Sequence, residues 1–100
     1  MEKIKLLLVD DNVELVTMIK EYFSSNRAGI EVVHTAVNGE EGLDYIRKNK
    51  EDFDLIILDL VMPKLDGIGV LEQMKKENIS KNVIVLTSYN SPDTIRRVSE

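Results

Sequence analysis

The chain has 100 residues, 43% of them hydrophobic, enough for one domain with a single modest core. Its net charge of −5 excludes the basic surface that grips nucleic-acid phosphates, so any DNA contact would have to come from a partner or an attached domain. It has no cysteine for disulfides or thiolate metal sites, and no apolar run near the roughly 20 residues that span a bilayer, which predicts a cytoplasmic protein.

Ile4 to Val9 is almost wholly apolar, the pattern of a parallel strand buried on both faces. Asp11, with Glu14 three residues on, predicts a capped helix whose buried stripe is Leu15, Val16, Ile19, Tyr22 and Phe23. Ile30 to Val37, rich in β-branched residues, predicts a second strand. Asn38 and Glu41 then form a capping box for a second helix that turns Leu43 and Ile46 inward.

Leu55 to Leu60 predicts a third strand, apolar except for Asp59. Asp66-Gly67 opens a third helix with Ile68, Leu71 and Met74 facing the core. Val83 to Leu86 predicts a fourth strand. Ser91 as cap and Pro92 in the first turn begin a fourth helix carrying Ile95 and Val98 on one face.

Strict alternation of four strands and four helices implies an α/β architecture, a doubly wound parallel sheet with helices on both faces. A dinucleotide site is excluded: Gly67-Ile68-Gly69 starts the motif, but Glu72 occupies the third glycine position and no strand directly precedes it.

In such sheets ligands bind beyond the carboxyl ends of the strands. There the sequence places Asp10-Asp11, then Asp59, then Thr87-Ser88. Taken singly, Asp11 reads as a helix cap and Thr87 as an ordinary strand residue. Capping needs one acid and not two, so Asp10 is harder to explain, and a carboxylate in the strand ending at Asp59 is costly to bury alone. Clustered carboxylates raise one another's pKa unless a cation sits among them. Oxygen ligands without histidine or cysteine select a hard ion, Mg²⁺ ahead of Ca²⁺ or Mn²⁺, and such a site suits phosphoryl transfer, with a carboxylate able to act as nucleophile. Met62-Pro63 reads as a rigid turn. His34, the one histidine, lies in the second strand away from this edge and is given no role.

The acid pair, Asp59 after an apolar strand, Met62-Pro63, Asp66-Gly67 and Thr87-Ser88 together resemble the response-regulator receiver domain, from Lys3 to the end of the chain. The resemblance implies a flavodoxin-like (CheY-like) sheet of order 2-1-3-4, with a fifth βα unit missing from residues 1–100. It implies that Asp59 is the phospho-acceptor in a two-component system or phosphorelay, charged by a histidine kinase or phosphotransfer protein. It assigns Mg²⁺ to Asp11, Asp59 and the backbone carbonyl of Val61, with Asp10 acting mostly through metal-bound water. Thr87 becomes the hydroxyl that meets the phosphoryl oxygens, and Val61 and Tyr89 match positions that tune dephosphorylation. The family's fifth-unit lysine has no counterpart after Lys81.

Within the family the nearer resemblance is to the receivers of the sporulation master regulators of endospore-forming bacteria. It rests on Met1-Glu2-Lys3-Ile4-Lys5, Asn12, Glu14-Leu15-Val16, Glu21-Tyr22, Leu65-Asp66-Gly67 and Val70-Leu71-Glu72. That implies transcription control through a C-terminal DNA-binding domain outside this chain. Ending before a fifth strand would leave Val83 to Leu86 as an open edge, where either two copies pair or exchange elements or further residues of the protein complete the sheet. The alternatives are a Mg²⁺-dependent phosphohydrolase, which needs an acid where Val61 stands, and an unphosphorylated interaction module.

Overall fold

The computed structural model describes residues 3–25, 29–62 and 64–86. Four strands alternate with three helices: β1 (Ile4–Val9), α1 (Val13–Ser25), β2 (Ile30–Ala36), α2 (Gly39–Lys48), β3 (Leu55–Asp59), α3 (Gly67–Lys76) and β4 (Asn82–Leu86). The strands form one parallel sheet in the order β2-β1-β3-β4, as expected. The expected fourth helix, with Ser91, Pro92, Ile95 and Val98, lies outside the described residues, as do Pro63, Thr87, Ser88 and Tyr89.

Side chains of β1 alternate between two cores. Leu7 and Val9 join Ile56 and Leu58 of β3 under α2 and α3, where they meet Leu43, Ile46, Val70 and Met74. Leu6 and Leu8 point the other way, with Ile57, onto Val16 of α1. Leu6 to Val9 are all fully buried. Burying each such leucine or valine is worth about 1.5–3 kcal/mol, which is why the central strand is so uniformly apolar.

Two sequence expectations for α1 are corrected. Its cap is Asn12 and not Asp11: the Asn12 side chain accepts from the Leu15 N–H at 3.1 Å. The Asp10 carboxylate accepts from the Asn12 N–H at 2.8 Å, which carries the turn one residue further and leaves Asp11 exposed and out of the cap. Tyr22 is 59% exposed, because six residues beyond Val16 it lies about 120° around the helix from the buried stripe. In α3 the inward pair is Val70 and Met74, one turn apart, while Leu71 is only half-buried.

The second strand changes phase. Register with β1 slips between Leu6, opposite Val32, and Leu7, opposite His34, leaving Val33 as a bulge. Ile30 and Val32 therefore pack on the α1 side, whereas Val33 and Ala36 pack on the α2 side, where His34 stacks on Tyr45 at 4.1 Å. The extra residue is what converts one face to the other.

Candidate functional site: an acidic cluster at the carboxyl edge

Val9 and Leu58 are register partners on neighbouring strands, so the residues that follow them, Asp10 and Asp59, emerge side by side. The Asp10 N–H continues the ladder to the Ala36 carbonyl at 3.0 Å, and its side chain is only 2% exposed. Asp59 is half-buried, and its Oδ1 accepts from the Val61 N–H at 3.1 Å. Carboxylate oxygens of Asp10, Asp11 and Asp59 all lie within 4.8 Å of one another. Sequence reasoning named all three, and the fold brings all three together.

Burial, followed by the charges of Asp10 and Asp11 and a hydrogen bond with Asp11, raises the Asp59 carboxyl to about 6, against the opposing pull of the Val61 N–H. Two carboxyls in hydrogen-bonding contact must share a proton or a cation. An all-oxygen cluster meets the chemistry of a hard ion. Around Mg²⁺, with bonds of about 2.0–2.1 Å, ligand oxygens span up to about 4.2 Å, so these residues fit the ion after a small contraction or with one water interposed.

Past Asp59 the chain is held at two points. The Leu60 N–H reaches the Leu86 carbonyl at 3.1 Å, so Val61 is the first residue beyond the sheet, and it is half exposed. The Gly67 N–H then returns to the Leu60 carbonyl at 3.2 Å, and a β-carbon on Gly67 would overlap the Asp59 carbonyl and come within 2.9 Å of the Leu60 Cα. Asp66 caps α3 by accepting from the Gly69 N–H at 2.8 Å. Asp66-Gly67 was legible only as turn and cap chemistry. Its contact with the backbone of Asp59 was not, since it depends on two segments meeting in space. Thr87, the expected phosphoryl-binding hydroxyl, follows Leu86, the register partner of Asp59, and itself lies outside the described residues.

Comparison with known proteins agrees with this geometry. The model of the response regulator receiver domain family matches residues 6–100. A curated relative, the probable C4-dicarboxylate response regulator DctR of Bacillus subtilis, is 38% identical over 91 residues. That alignment covers 91% of this chain and 39% of the relative, so the chain spans about two fifths of that protein.

Among solved structures, the receiver domain of Francisella response regulator 1452 superposes with a TM-score of 0.81 at 35% identity, covering 97% of this chain and 77% of that one. The CheX-CheY-BeF3-Mg²⁺ complex of Borrelia burgdorferi gives 0.84 at 27% identity, covering 96% and 70%. No helix among the described residues is long and apolar enough to cross a membrane. With the family model spanning nearly the whole chain and the sheet order matching, this chain belongs to the response-regulator receiver domain family and is the receiver domain of a two-component response regulator.

Proposed function

We propose that Asp59 accepts a phosphoryl group, in a cytoplasmic setting, from a histidine kinase or phosphotransfer protein, and that the change of charge switches an attached output. The observation that carries this is Asp59 itself: half-buried at the strand end, within reach of Asp10 and Asp11, and raised to about 6. A carboxylate oxygen of Asp59 attacks phosphorus, the bond from phosphorus to the donor nitrogen breaks, and the donor leaves with that electron pair. Asp10, Asp11 and Asp59, with the Val61 carbonyl, are the residues assigned to hold Mg²⁺. The ion would neutralise the carboxylates and the incoming phosphoryl oxygens.

The Val61 N–H on Oδ1 of Asp59 fixes the rotation of the carboxylate, so that one oxygen is oriented and the other is left for attack. Thr87 is assigned to the phosphoryl oxygens. The Borrelia relative, solved with BeF3 and Mg²⁺, supports the same class of ligand here by analogy. The role is that of a phospho-acceptor and not of an enzyme acting on other substrates.

The deciding measurement is incubation of the full-length protein with a small phosphodonor and Mg²⁺. Stoichiometric labelling that vanishes in Asp59→Asn is expected, and undiminished labelling of that variant would overturn the assignment. Sustained turnover of phosphate esters would instead favour the phosphohydrolase reading, which Val61 disfavours by standing where that chemistry needs a second acid.

For the output, we read control of sporulation genes, on the strength of the N-terminal Met1-Glu2-Lys3-Ile4-Lys5 and the other residues cited for that resemblance. The Bacillus subtilis relative carries a different role in its name, the response to C4-dicarboxylates. Spore counts and C4-dicarboxylate growth in a deletion strain separate the two.

A further inference from the structure

The segment leaving the acidic cluster is bent in a way its residues do not favour. Lys64 (φ 53°) and Leu65 (φ 73°) are consecutive non-glycine residues in the left-handed region. That region is sterically disfavoured for an L-residue, so something outside the segment must hold it there.

The contact that does so is on the far side of the site. Gly39 opens α2, directly after the buried cap Asn38, whose side chain accepts from the Glu41 N–H at 2.9 Å. A β-carbon on Gly39 would overlap the Leu65 carbonyl oxygen and lie 3.0 Å from the Leu65 β-carbon. The neighbour is therefore backbone, which cannot swing aside as a side chain does. On its other flank Leu65 covers Gly69, whose β-carbon would fall 3.3 Å from the Leu65 Cγ. Leu65 also packs against the core shared by α2 and α3. The α2 end is itself rigid: Gly42 sits against Val9, the residue before Asp10, with no room for a methyl group.

We propose that Gly39 and Leu65 are positioning residues for phosphoryl acceptance, their backbone contact fixing the segment that runs on from Asp59 through Val61. This rests on the phospho-acceptor reading above. Neither residue touches the carboxylates. Gly67 pins the root of the segment against Asp59, and Gly39 props its outer bend. The Val61 amide that orients the Asp59 carboxylate lies before that bend. Displacing Leu65 is transmitted back along a short chain that is anchored at Leu60.

The test is Gly39→Ala in the full-length protein, read in two ways well below its melting temperature. Without metal, the Val61 and Leu60 amide resonances should shift, although residue 39 is in another element. With Mg²⁺ added, affinity should fall by about tenfold to a hundredfold, the usual effect of losing a supporting residue around a metal site. A purely structural role would lower the melting temperature and leave the affinity of the folded protein unchanged.

If Gly39→Ala does not fold, Leu65→Ala is the substitute, since it removes the wedge without a clash and should move both readouts the same way. Wild-type amide positions and wild-type affinity in a folded variant would overturn the proposal. If the unmutated protein binds no Mg²⁺, the phospho-acceptor reading fails instead, while the amide shifts still decide whether Gly39 governs the segment.

Discussion

The Arg47 guanidinium lies side-on to the Glu77 carboxylate, its Nε 2.8 and 3.0 Å from the two oxygens, and so ties the last turn of α2 to the C-cap of α3. The Gln73 amide donates to the same carboxylate at 2.9 Å. The hydrogen bond from Arg47, then that from Gln73, lowers the Glu77 carboxyl to about 2. A depressed carboxyl contributes stability that is present above its ordinary value near 4.5 and is lost as pH falls through about 2. Glu77→Gln should therefore melt earlier than the wild type at neutral pH, and the gap should close as pH falls from 4.5 towards 2. The pair is solvent-exposed, so added salt should narrow the gap as well. Thermal melts across that pH range, at two ionic strengths, check both.

Asp59 has the opposite sign. Its folded-state value is raised from 3.8 to about 6, so without metal its contribution to stability is fully present below 3.8 and disappears as pH rises through 6. Mg²⁺ binds the ionised form, so the metal's own stabilising effect should grow over the same interval, with proton release on binding near pH 6. Asp59→Asn should lose both dependences and be more stable than the wild type in the absence of metal, since it removes one of three mutually repelling charges. Calorimetric titration with Mg²⁺ in buffers of different ionisation enthalpy measures the released proton directly.

The three carboxylates also predict a metal effect on melting. At a hundredfold excess of Mg²⁺ over its Kd, stability should rise by about 2.7 kcal/mol. Asp11→Ala should remove most of that response, because Asp11 is the exposed member of the cluster and is within ligand distance of both others. A melting temperature indifferent to Mg²⁺ would count against the site.

Lys64 offers a test of backbone strain free of packing, since its side chain is exposed. Relief of the left-handed penalty, roughly 1–2 kcal/mol, outweighs the added chain entropy of glycine, about 0.5–1 kcal/mol. Lys64→Gly should therefore stabilise the protein by about 0.5–1 kcal/mol, as read by denaturant unfolding. Gly67→Ala should do the reverse and more strongly, because its methyl group meets the Asp59 backbone and not open solvent.

The element types were legible because each rests on a local pattern: uniform apolarity in Leu6 to Val9, cap residues at Asn38 and Asp66, period-2 or helical spacing elsewhere. The acids were legible because strand ends in a parallel sheet all open on one edge, so Asp10, Asp11 and Asp59 needed only sequence order to be grouped. The helix start at Asn12 was missed because two neighbouring residues can both cap, and only the turn of the Asp10 carboxylate decides between them. The stacking of His34 on Tyr45 was missed because it depends on a one-residue register slip that alternating apolarity does not encode. The close approaches at Gly39 and Gly67 carried no signal either, although Gly67 itself was read as part of the turn that opens the third helix. Both are made by backbone distant in sequence.

The bulge at Val33 has a consequence for pairing along the outer edge of the second strand. The second strand lies at one end of the sheet, with a row of backbone groups on its outer side. A foreign strand adding there would need several residues in unbroken register, and the slip at Val33 interrupts that row in the middle of seven residues. Exposed Glu31 and His34 flank the interruption. The same extra residue that turns His34 towards Tyr45 thus leaves two short half-strands in place of one continuous adhesive edge. Deleting Val33 would leave His34, Thr35 and Ala36 opposite Leu7, Leu8 and Val9 but make the edge continuous, and so make the protein prone to aggregate.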